Sequence, residues 1–162
     1  MHIPIKGNEI EPQGMQEATR NVLEECRMVL PGIQALFGFQ LIAVFNRSFS
    51  TILSPAEQRI HLLALGMSSL AIALVMGPAA YHRQVHPQAV SKRHLRVSSV
   101  MLTLGMFPLW LAIVIDFYLV ARVICGNVPL AATLAGIVAG VFAGLWFIFP
   151  RVARLHHQGD VR

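Results

Sequence analysis

Apolar residues dominate four long runs of this chain, and charged residues gather in the segments between them. Residues 28–46, 60–82, 97–115 and 123–150 contain no Asp, Glu, Lys or Arg, over lengths of 19, 23, 19 and 28 residues. A helix needs about 20 largely apolar residues to cross a hydrocarbon core of ~30 Å, so each run is long enough to span. Lipid leaves unpaired backbone N–H and C=O groups unsatisfied, which restricts spanning structures to helices and closed barrels. None of the runs shows the alternation of a barrel strand. The pattern predicts an all-α fold, an integral membrane four-helix bundle with spans at about 28–46, 58–82, 96–122 and 128–149.

The ends of these elements are marked by local signals. In the N-terminal arm, residues 1–27, Met15, Ala18, Val22 and Cys26 stand at helical spacing, with Val29 continuing the series. Glu17, Glu24 and Glu25 fall on other faces, so a short amphipathic helix is expected here. Pro31-Gly32 predicts a bend between it and the first span. Ser54-Pro55-Ala56-Glu57 reads as a helix start in which Ser54 caps and Glu57 completes a capping box, a structural role for that carboxylate. Gly77-Pro78 and Pro108 predict kinks in the second and third helices, the latter freeing a backbone carbonyl. Asn127 with Pro129 opens the fourth helix, Pro150 closes it, and a basic tail follows over 151–162. The two halves of the 28–150 region share too little to define an internal repeat.

Composition and charge then orient the bundle. Hydrophobic residues make up 55% of the chain and charged residues 13%, against roughly 25% in soluble domains. The first 27 residues are polar, so the first helix is expected to direct insertion without a cleaved leader. Ten of the thirteen Lys and Arg lie in the arm, the central loop and the tail. Only Arg47, Arg59 and Arg122 lie at the opposite ends of the helices. The positive-inside rule puts the ten in the cytoplasm, with both termini. The net charge of +5 is thus read as topology rather than as a nucleic-acid footprint. Cys26 and Cys125 fall at opposite membrane faces, too far apart for a disulfide.

Few side chains carry candidate chemistry. Gly136, Gly140 and Gly144 recur every four residues behind Ala132, beside a second stripe of Ala131, Ala135, Ala139 and Ala143. Small faces let helices approach closely in lipid, so this one packs either within the bundle or between subunits. Asp116 is the one acidic residue enclosed by apolar sequence, and such a carboxylate calls for a partner or a function. Arg122, Arg59, Arg47 and His61 are its expected partners, and Gln34, Gln40 and His61 join it as candidates for a polar ion path. Gln34 shares a face with Gly38, Leu41 and Phe45, whereas Gln40 points elsewhere. His82, His86, His94, His156 and His157 lie in basic inner segments, where binding of anionic lipid head groups is favoured over a metal. No cofactor site and no enzyme signature is present in the sequence.

Two motifs carry a resemblance. Glu24-Glu25-Cys26-Arg27 through Pro31-Gly32-Ile33-Gln34-Ala35-Leu36-Phe37-Gly38-Phe39, and Pro78-Ala79-Ala80-Tyr81-His82-Arg83, resemble an uncharacterised family of short bacterial four-span membrane proteins. Some members are automatically labelled sodium:proton antiporter. The resemblance implies the bacterial inner membrane and assigns no site residues. The expectation is a homo-oligomeric channel or simple transporter for a small ion. The alternative is a non-conducting structural or regulatory protein that binds another membrane component or lipid.

Overall fold

The computed structural model describes residues 12–85 and 92–152, and these are helical apart from three short connections. Helix α1 covers Pro12–Phe45, α2 is a single turn at Phe49–Ile52, and α3 covers Pro55–Val85. Helix α4 covers Lys92–Cys125. Helix α5 covers Val128–Ala143 and runs on through a π turn at Gly144–Ile148 to Val152. Among the described residues, four segments are long and apolar enough to cross a membrane: Arg20–Phe45, Pro55–Ala80, Leu95–Cys125 and Val128–Val152.

Prolines do not end these helices. Pro31, Pro78 and Pro108 all lie inside continuous helices, so the expected amphipathic helix is the first part of α1 rather than a separate element. Pro31 and Gly32 sit on the exposed side of α1, where the ring meets no neighbouring helix. Pro150 does not end the last span either. The widened turn just before it, in which Phe149 donates its N–H to Gly144 O, makes room for a ring that otherwise collides with the preceding turn. Helix α2 was not expected. Its residues are organised by local polar contacts, Ser48 N–H to Asn46 Oδ1 at 2.9 Å and Thr51 Oγ1 to Ser48 O at 3.0 Å.

Helices α3 and α4 form the central antiparallel pair, with α1 packed mainly on α3 and α5 on α4. The pair is close because its shared face is small. Ala64, Ser68 and Ala71 of α3 and Ala112 of α4 are fully buried. A Cβ at Gly105 would stand 3.3 Å from both Leu74 Cβ and Val75 Cγ2. Met101 lies directly over Gly77. In lipid such close approach supplies the dispersion and hydrogen-bond contacts that hydrophobic burial supplies in water.

The small face of α5 divides in two. Ala131 and Ala135 are buried, and Ala139 O accepts the indole N–H of Trp110 at 3.1 Å, so the alanine stripe faces α4. Ala143 continues it, half-buried. Ala132, Gly136 and Gly140 are exposed, and a Cβ added at Gly136, Gly140 or Gly144 would meet nothing within 4 Å. The turn into α5 is tight: Gly126 takes φ 62° and donates to Arg122 O at 3.1 Å. Asn127 then caps α5 by accepting from Leu130 N–H at 3.2 Å. Glycine is needed at that left-handed position, where a Cβ is strained.

Candidate functional site

Three helices each bring one polar side chain to a single point near the end of the bundle that carries α2. Gln40 comes from α1, His61 from α3 and Asp116 from α4. The Gln40 amide donates from Nε2 to Asp116 Oδ2 at 2.6 Å. His61 Nε2 lies 2.9 Å from the backbone carbonyl of Gln40, and its Nδ1 lies 3.8 Å from Asp116 Oδ1. Phe49 of α2 covers the imidazole edge-on, with ring centroids 5.2 Å apart. Gln40 and His61 are buried at 3% and 6% exposure.

These contacts settle the imidazole's hydrogen. A carbonyl only accepts, so Nε2 carries the N–H and Nδ1 is the nitrogen that faces the carboxylate. Two lone-pair acceptors then look at each other across 3.8 Å, longer than a hydrogen bond. In low dielectric this arrangement favours one positive charge between them, either a proton on the pair or another cation. One N–H of the Gln40 amide is engaged by Asp116, and its Oε1 is buried without a hydrogen-bond partner.

The expected arginine partners are elsewhere. Arg122 Nε lies 3.4 Å from Glu57 Oε1 and makes no ion pair with Asp116 among the described residues. Six residues along a helix is about 120° around and ~9 Å further on, so Arg122 cannot share the face of Asp116. Arg47 and Arg59 are exposed. Glu57 does form the capping box, accepting from Ser54 N–H at 2.8 Å and from Ser54 Oγ at 2.7 Å. The sequence pattern missed its second contact, the bridge to Arg122 that ties the start of α3 to the end of α4. Gln34 does not join the cluster. It is exposed on the outer face of α1, with Leu41 and Phe45 on the same side.

Below the cluster the interior turns apolar. Cys26, Ile33, Ala71, Val75 and Leu109 pack together, with Trp146 against them. Ser68 and Ser98 are buried hydroxyls without hydrogen-bond partners. Above and beside the cluster the helices part. A cavity of about 460 Å³ opens there, floored by Gln40, His61 and Asp116 and walled by apolar residues including Leu36, Ala43, Phe49, Leu53 and Leu119. The two cysteines are free, Cys26 buried and Cys125 exposed. The proposed lipid contact falls largely outside the described residues, which omit His86, His156 and His157 and the side chains of His82, Lys92, Arg93 and His94.

Four long apolar helices, closely packed through small residues and joined by short connections, define a multi-pass helical membrane protein. Residues 8–150 match the model of a family of unknown function, DUF6328, and the chain belongs to that family. No curated protein and no solved structure matches it.

Proposed function

We propose that this protein passes a small cation, with the proton foremost, across the bacterial inner membrane, and that Asp116 with His61 and Gln40 holds the ion. The observation that carries this reading is the enclosed carboxylate–imidazole pair, whose facing lone pairs are stabilised by one exchangeable positive charge. An ionisable residue within a span is costly to keep, which favours a working role over a decorative one. In the topology drawn from the positive-inside rule, with both termini cytoplasmic, this site lies near the outer face.

A homo-oligomer accompanies the proposal. Gln34 lies exposed on an otherwise apolar face of α1, and Gly136 and Gly140 leave a smooth strip on α5. Both features are better accommodated against a second chain than against lipid tails. The apolar packing around Ile33, Val75 and Leu109 interrupts any polar route within one chain, so the path beyond Asp116 would run between subunits or open by helix movement. That same packing favours the second reading, a non-conducting protein that binds another membrane component.

Flux in proteoliposomes separates the two. Imposed proton gradients should collapse faster with wild-type protein than with empty vesicles, and Asp116→Asn should slow this per assembled oligomer. A purified, correctly assembled wild type that carries no ion under any gradient tested rejects the transport reading.

A further inference from the structure

The floor of the cavity beside Asp116 is richer in acceptors than in donors. His61 Nε2–H is engaged by the Gln40 carbonyl, and one N–H of the Gln40 amide by Asp116 Oδ2. What remains is Asp116 Oδ1 and His61 Nδ1, with Gln40 Oε1 unpartnered but buried behind them. The walls are apolar apart from Asn46 and Ser48, and the volume of about 460 Å³ lies within the 300–1,000 Å³ typical of small-molecule pockets. That is far more room than a bare inorganic cation needs. The cavity is also open sideways, where Phe39, Val120 and Ile124 are exposed.

We propose that this cavity binds a lipophilic organic ammonium ion, its N–H groups on the acceptor floor and its apolar body along Ala43, Phe49, Leu53 and Leu119. The inference rests on the reading of the Asp116–His61 pair as the holder of one positive charge. With the proton in place the pair is neutral overall, and with a protonated amine in its stead it is neutral again. Binding therefore exchanges one cation for another: the ammonium enters and the site's proton leaves to solvent. Neither state strands a net charge in low dielectric, where an unpaired charge is most costly. The titratable groups facing the floor are His61 from α3 and Asp116 from α4. Helix α1 adds only the Gln40 amide, and Glu57 and Arg122 nearby are paired with each other.

The test uses the full chain in nanodiscs of zwitterionic lipid, titrated calorimetrically with 4-phenylbutylamine and with its neutral counterpart 4-phenylbutanol, after subtraction of empty nanodiscs. The amine should bind one per chain, release a proton to a weakly buffered solution, and bind more tightly as pH rises. The alcohol should bind at least about tenfold more weakly, and Asp116→Asn should weaken the amine by a similar factor. Ala43→Trp, which fills the cavity from α1, should do the same and serves if Asp116→Asn does not fold. Equal binding of amine and alcohol overturns the proposal, as does wild-type amine affinity in the Ala43→Trp variant. Amine binding without proton flux would remove the transport reading and leave this site standing. Flux without amine binding would remove this site alone.

Discussion

Replacing Gly105 by leucine tests whether the α3–α4 contact is what holds the bundle together. A Cβ at this position stands 3.3 Å from Leu74 Cβ and Val75 Cγ2 and 3.7 Å from Ala71 O. Optimal carbon–carbon contacts lie at about 3.5–4.0 Å, so even alanine forces the helices apart by a few tenths of an ångström. Leu74 Cβ and Ala71 O belong to the backbone of α3 or sit next to it, so they move only if the whole helix moves. Leucine adds three more carbons beyond that contact. Overpacking of this kind costs about 1–3 kcal/mol, a shift of roughly 5- to 150-fold in the folded ratio. Gly140→Leu is the internal control, because its Cβ meets nothing within 4 Å in the same chain. The assay is reversible unfolding of both variants in the same detergent, paired with the mass of the assembled particle. Gly105→Leu should lose stability. Gly140→Leu should keep the fold of the single chain and change only the assembly. Wild-type stability in Gly105→Leu refutes the argument from close helix approach.

Further expectations concern single contacts. Gly77→Ala should cost less than Gly105→Ala in the same unfolding assay, because the atom it meets is the flexible end of Met101. Trp110→Phe removes the indole N–H from Ala139 O and should lower stability by about 0.5–1.5 kcal/mol, with α5 released first in hydrogen exchange. Ser54→Ala removes a cap and should cost about 0.5–2 kcal/mol, measured by thermal unfolding. Membrane-impermeant maleimide should label exposed Cys125 in intact cells and spare a cysteine introduced at exposed Arg151. Labelling of the introduced cysteine alone reverses the topology. Native Cys26 is a poor reporter of this question, because it is buried.

What the sequence by itself determined about this protein is the number, length and approximate limits of its spans. Crossing a hydrocarbon layer is a local requirement, met or failed by about 20 consecutive residues. The capping at Ser54 and Asn127 was legible for the same reason, since each cap involves residues only three apart. The continuity of α1 through Pro31 was not, because a proline's local clash is with its own preceding turn, and whether the helix bends or stops there depends on the packing of the segments on either side. Tertiary structure alone decided how each helix is rotated, and with that which polar groups meet. Asp116 was recognisable as an enclosed charge with Gln40 and His61 among its candidate companions, but only the structure selects these two, 76 and 55 positions away, over Gln34 and the arginines. Likewise the alanine and glycine stripes of α5 differ little as sequence, and only contact with Trp110 distinguishes the inner from the outer. The cavity exists in no segment of the chain. It forms where α1, α3 and α4 bring Gln40, His61 and Asp116 together beside α2, and packing among helices sets that arrangement.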